Sequence, residues 1–201
     1  MRICVYGAAS TKIDKKYLQA TEDLCEKMAL RGHTLVFGAG AGGVMGAAAK
    51  GFRKGGASVM GVAPGFFTNG TIEEIYTGCD ALVKTDSMGT RKTVMEANAD
   101  AFITGPGGIG TYDELFQVLT LKQLKVFDKP IIIFNIDHFY DPIVDLLKQG
   151  IDQKFLRSDT LSLYKVFSEN EMDEMIEFIE NYDMDYTKAN GECVDSIYGE
   201  S

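Results

Sequence analysis

No stretch of the 201-residue sequence comes near the ~18 consecutive apolar residues of a membrane span. The opening apolar run, Met1 to Gly7, is too short for a signal peptide, so the expectation is a soluble, cytoplasmic protein. Cysteine and histidine are scarce and scattered. Cys4, Cys25, Cys79 and Cys193 form no C-x-x-C, and His33 and His138 are too few to complete a metal set. The thiols read as reduced packing residues, and no metal is expected. Basic charge is also short, with 20 Lys and Arg against 29 Asp and Glu, a net charge of −9. The deficit sits at one end: residues 168–201 hold eleven acids and one base, Lys188, which leaves the first 167 residues at +1. A chain without a basic excess is a poor match for a nucleic-acid backbone or an anionic membrane surface. Small-molecule partners remain. Internal repeats and low-complexity segments are absent.

What is present is enough for one globular unit. At about 150 residues per domain the chain makes one domain, over residues 1–181, followed by an acidic tail at 182–201. Hydrophobic residues make up 45% and charged ones 24%, so a sizeable core forms and wholesale disorder is excluded. Short apolar runs alternate with helical periodicity. Strands are expected at Ile3 to Tyr6, Thr34 to Phe37, Ala57 to Val62, Ala81 to Lys84, Ala101 to Thr104, Ile131 to Phe134 and Leu161 to Phe167. Helices are expected at Asp14 to Arg31, Val44 to Lys54, Met88 to Asn98, Thr111 to Lys125, Asp141 to Gly150 and Glu169 to Asn181. Ala63 to Thr71, with Pro64, Gly65 and Gly70, reads as a loop that exposes Phe66 and Phe67 unless something covers them. Strands alternating with helices, and apolar on both faces, predict an α/β fold with a parallel sheet wrapped by helices. Ligands in such a fold bind beyond the C-terminal strand ends.

Two glycine-rich loops lie at such ends. Gly38, Gly40 and Gly43 spell G-x-G-x-x-G between a strand and a helix. A dinucleotide site also needs an acid about 20 residues on for the ribose, and no Asp or Glu occurs between Glu26 and Glu73. The loop therefore serves either close helix–strand packing or, as preferred here, a phosphate or ribose contact from backbone amides, with Gly42 and Gly43 as candidates. The second loop, Gly105-Pro106-Gly107-Gly108-Ile109-Gly110-Thr111, directs free amides and a helix dipole at one anion. Thr111 stands where a P-loop needs lysine, so the loop suits a monophosphate better than a triphosphate.

Asp113 and Glu114 follow within the first helical turn. For Asp113 the simple reading is complementation of the helix N-terminus, worth under about 1 kcal/mol. Glu114 is different, because a carboxylate beside a phosphate site is costly unless it serves the sugar, where it stabilises an oxocarbenium-like state or activates water. Upstream, Arg91 lies among Met88, Val94 and Met95 and offers fixed donors with permanent charge. Lys92 reads equally as a solvated face residue or a ligand contact.

The runs Ser87-Met88-Gly89-Thr90-Arg91-Lys92, Asp100-Ala101-Phe102-Ile103 and Pro106-Gly107-Gly108-Ile109-Gly110-Thr111-Tyr112-Asp113-Glu114-Leu115 together resemble the LONELY GUY (LOG) family of nucleoside 5'-monophosphate phosphoribohydrolases, long labelled lysine decarboxylases. The likeness extends from Cys4-Val5-Tyr6-Gly7 through Gly40 to Gly46, Asp128-Lys129-Pro130 and Tyr140-Asp141-Pro142 to about residue 181. It implies a Rossmann-like, doubly wound single domain that hydrolyses the N-glycosidic bond of AMP or N6-prenylated AMP, without metal or organic cofactor. It also implies a homodimer or larger assembly with the site near the subunit interface. The family's catalytic arginine and glutamate fall on Arg91 and Glu114. Its substrate contacts fall on Glu73 or Glu74, Lys92, the run from Gly108 to Glu114, and Thr120, with Met88 and Gly107 beside them. The sequence departs from the family pattern at Gly89, Thr90, Gly105, Leu121 and Phe127. Two other readings are a non-catalytic carrier of a nucleotide or molybdenum cofactor, and a pyridoxal-phosphate decarboxylase, for which no lysine stands out.

Overall fold

The first strand, β1 (Arg2–Tyr6), is buried from Ile3 onward and becomes the centre of the molecule. The computed structural model describes residues 1–67 and 74–183. The expectations on residues 68–73, including Glu73, and on residues 184–201, including Cys193, lie outside the described residues.

Six further strands join β1: β2 (Thr34–Phe37), β3 (Val59–Pro64), β4 (Ala81–Thr85), β5 (Ala101–Thr104), β6 (Ile131–Phe134) and β7 (Lys165–Phe167). They form one sheet in the order β4-β3-β2-β1-β5-β6-β7, with every pairing parallel. Runs such as Ile131-Ile132-Ile133-Phe134 are buried on both faces, because parallel crossovers place helices above and below the sheet.

The helices are α1 (Lys15–Leu30), α2 (Gly43–Lys54), α3 (Met88–Asn98), α4 (Ile109–Gln123), α5 (Asp141–Asp152) and α6 (Met172–Glu180). One face carries α1, α2 and α6, through Leu24, Met28, Ala48, Phe52, Met175 and Ile179 packed on Ile3, Val5, Leu35 and Phe37. The other carries α3, α4 and α5, through Met95, Leu115, Val118 and Leu147 packed on Cys4, Tyr6, Val36 and Phe102. The result is a single α/β unit with a doubly wound, Rossmann-like sheet. Cys4 and Cys25 are buried free thiols in these two cores, and burial pushes both thiols up.

Two local expectations are corrected. The strand expected over Leu161 to Phe167 keeps only its last three residues, because Ser158–Leu163 winds into a 3-10 helix before β7. Helix α4 begins at Ile109, two residues early, since Gly108 already supplies the extended N-cap. Asp113 and Glu114 therefore sit in its second turn, beyond the reach of a first-turn dipole effect. Tyr182, at the start of the expected tail, donates to Asp128 at 2.8 Å and accepts from Lys122 at 2.8 Å, so this residue is held on the body.

Candidate active site

Strand order reverses between β1 and β5: the chain leaves β1 toward β2 and returns to the other side at β5. The loops beyond these two strands must therefore part, and the parting leaves a crevice. They are first stitched together by Gly105 N–H donating to Tyr6 O at 2.9 Å and Ala8 N–H donating to Pro106 O at 3.0 Å. Beyond the stitches opens a cavity of about 360 Å³, lined by Gly7 to Ser10, Met45, Phe67, Met88, Arg91, Gly108, Gly110, Thr111 and Glu114.

Its chemistry comes from α3 and α4. Ser87 caps α3 by accepting from Thr90 N–H at 3.1 Å, which fixes the first turn and places Arg91 toward the sheet. Arg91 is buried, and its Nη1 donates to Glu114 Oε1 at 3.2 Å while its Nε donates to Val62 O at 3.2 Å. The Nη2 end of the guanidinium abuts Gly38: a Cβ there would come within 1.6 Å of it. Gly38 is therefore the seat of the arginine. On α4, Gly108 caps the helix with no side-chain partner and no acid occupies the first turn. The first amides of α4 have no intrahelical acceptor, and the positive end of the dipole faces the cavity beside Thr111.

Of the residues singled out in the sequence, Arg91, Glu114, Met88, Gly108, Gly110 and Thr111 meet in this cavity. Gly107 supports the turn from beneath, where a Cβ would strike Thr111 Oγ1 at 2.1 Å. Ile109 is 82% exposed and points away. Lys92 lies outside the lining and pairs with Asp113 at 2.7 Å, which gives Asp113 a partner other than the helix dipole. Thr120 is exposed six residues beyond Glu114, about 9 Å along α4, and its hydroxyl donates to Phe116 O at 2.7 Å. Glu74 is exposed and accepts from Ala41 N–H through its main chain at 2.8 Å.

Gly42 and Gly43 also stay out of the lining. Gly43 has φ +59°, and a Cβ on it would lie 2.2 Å from Ala8 O; Met45 N–H donates to that same oxygen at 3.2 Å. The first glycine loop is thus pressed against the turn after β1. Sequence reasoning passed over that turn, Gly7 to Ser10, together with Met45 and Phe67. The rule that ligands gather at the switch point would have found the turn once β1 was placed at the centre of the sheet. Among the described residues, no group of three His, Cys, Asp or Glu side chains could hold a metal ion, and no helix is long and apolar enough to cross a membrane.

Residues 45–185 match the family model described as "Possible lysine decarboxylase". A probable cytokinin riboside 5'-monophosphate phosphoribohydrolase of Arabidopsis thaliana is 35% identical over 159 residues, covering 77% of this chain and 76% of that one. The chain belongs to the LOG family. A second Arabidopsis thaliana relative, a cytokinin riboside 5'-monophosphate phosphoribohydrolase, is 32% identical over 186 residues, covering 90% and 83%. Among solved structures, the molybdenum cofactor binding protein of Rippkaea orientalis superposes with a TM-score of 0.65 at 22% identity, covering 90% and 97%. The molybdenum cofactor carrier protein of Chlamydomonas reinhardtii gives 0.66 at 21%, covering 89% and 95%. These two likenesses concern the fold alone. The LOG motif P-G-G-x-G-T-x-x-E of this chain, from Pro106 to Glu114, is the segment that joins the uncapped helix start to the buried ion pair.

Proposed function

We propose that this LOG protein hydrolyses the N-glycosidic bond of a purine nucleoside 5'-monophosphate, AMP or N6-prenylated AMP, to free base and ribose 5-phosphate. The observation that carries the reading is the buried Arg91–Glu114 pair in the wall of a cavity whose floor is the uncapped start of α4. The amides of residues 108–111 hold the 5'-phosphate, as helix N-termini do for anions. That anchor sets the ribose within reach of Glu114, which supports positive charge at C1' and directs water onto it. The C1'–N9 bond breaks with its electron pair leaving on the base, water supplies the new bond to C1', and the base takes up a proton. Arg91 keeps its protons throughout, so its part is to orient Glu114 and the substrate. Met88, Met45 and Phe67 give the cavity an apolar side suited to a base. Lys92 assists at the phosphate.

The family resemblance adds a homodimer with the site near the interface, and the exposed Phe116 and Thr120 on α4, the helix that carries Glu114, support it. A second copy on this face would bring Thr120 toward a nucleotide. Cytoplasmic residence belongs to the same reading.

The test is release of ribose 5-phosphate from AMP and from N6-isopentenyl-AMP. Glu114→Gln should lower turnover by about 10²- to 10⁴-fold, the usual worth of a positioned acid–base group, with nucleotide binding retained. Binding by the wild type without product from either nucleotide would favour a carrier instead.

A further inference from the structure

One buried carboxyl takes no part in the mechanism above. Glu96 lies on α3, one turn after Lys92 on the same face, and only 5% of it is exposed. Its Oε1 accepts from Gln117 Nε2 on α4, while its Oε2 is buried with no hydrogen-bond partner. Lys92 is therefore placed between two acids, Asp113 at 2.7 Å on α4 and Glu96 on its own helix. The remaining charged and titratable neighbours are Lys129, whose Nζ donates to the Glu96 main-chain oxygen at 2.9 Å, and Cys4 and Tyr6 on β1, both of which feel the Glu96 charge.

We infer that Glu96 is a positioning residue that competes with the nucleotide phosphate for Lys92, so that nucleotide affinity falls when Glu96 carries charge. An unpartnered carboxylate oxygen inside a protein needs a cation, and Lys92 is one turn away. When Glu96 is neutral, Lys92 keeps to its pair with Asp113 on α4, from which it turns to a bound anion. When Glu96 is charged, it draws Lys92 inward, away from the phosphate. Burial raises the Glu96 pKa to about 7, opposed by the Gln117 hydrogen bond and by Lys92, so the exchange falls in the physiological range.

The inference rests on the proposed function in one respect, that Lys92 meets a bound nucleotide phosphate. Proton and nucleotide binding are then linked: as rising pH weakens binding, nucleotide binding must take up a proton. Calorimetry of AMP binding between pH 5.5 and 8.5, in buffers of different ionisation enthalpy, reads both. AMP's own phosphate titrates near pH 6, so the quantity of interest is the difference between wild type and Glu96→Gln, which preserves shape and the Gln117 contact. The Kd of the wild type relative to the variant should rise at least about 5-fold from pH 6 to 8.5, with extra proton uptake near pH 7. In turnover the same ratio should appear in KM, with kcat changing less than about 2-fold. In a Lys92→Ala background the substitution should have almost no effect on Kd at any pH. Equal pH profiles for wild type and variant would overturn the inference, and a slope that persists without Lys92 would overturn its route. AMP binding without hydrolysis would sink the hydrolase reading alone, while absence of AMP binding would sink both.

Discussion

The Arg91–Glu114 contact concentrates the site's energetics in two side chains. Removing one partner of a buried pair strands the other charge, at a cost of about 3–5 kcal/mol. Arg91→Ala should therefore lose stability by about that amount as well as activity, measurable by denaturant unfolding beside the Glu114→Gln variant. Gly38 allows a cleaner separation. Its backbone does not require glycine, and the atom a Cβ would meet is the tip of a long side chain, so Gly38→Ala should fold. The methyl group would displace the guanidinium from its seat, and turnover should fall by at least about 10²-fold, as for a misplaced catalytic group. Wild-type turnover in Gly38→Ala would refute the account of Gly38 as the arginine's seat. The sequence offered Arg91 and Glu114 by their residue types. It gave no sign that Gly38, 53 positions from Arg91, serves that arginine, because the contact is made across β3 and β2.

At the scale of elements, the two glycine loops look alike in sequence and differ in use. Neither helix has a side-chain cap, but the start of α2 spends its Met45 amide on Ala8 O, whereas the start of α4 opens on the cavity. Gly43 has both a positive φ and main-chain atoms in the way of any Cβ. Gly43→Ala should destabilise the protein by at least about 1–3 kcal/mol, lowering Tm, and should do so without changing the anion affinity of the remaining folded fraction. An unchanged Tm would contradict this packing role. Most element boundaries were legible because each strand is a short apolar run ended by Gly or a turn. The failure at Leu161 to Phe167 has a physical cause: so short an apolar segment shows no period that separates a strand from a 3-10 turn.

For the whole molecule, Glu96 sets a slope of stability with pH. Its folded pKa lies above the unfolded value of 4.5, so the folded state holds the extra proton between these pH values. Its contribution is intact below pH 4.5 and is lost as pH rises through about 7, at most about 3 kcal/mol. Unfolding of Glu96→Gln beside wild type at pH 5 and pH 8 should show the variant gaining relative stability at the higher pH. A constant difference would mean that Glu96 is not buried as described. The assembly can be tested separately: sedimentation should show at least a dimer, and a monomer active at assay concentration would count against a shared site.

Local periodicity and residues adjacent along the chain were enough to specify the alternation of strand and helix, a parallel sheet wrapped by helices and the P-G-G-x-G-T-x-x-E segment. Tertiary structure alone decided that β1 is central, that Gly7 to Ser10 line the cavity, that Lys92 lies between Asp113 and Glu96, and that Gly42 and Gly43 brace a neighbouring turn. Each of these depends on which strands become neighbours. That choice is made by burial summed over the whole sheet and is not encoded near any single residue.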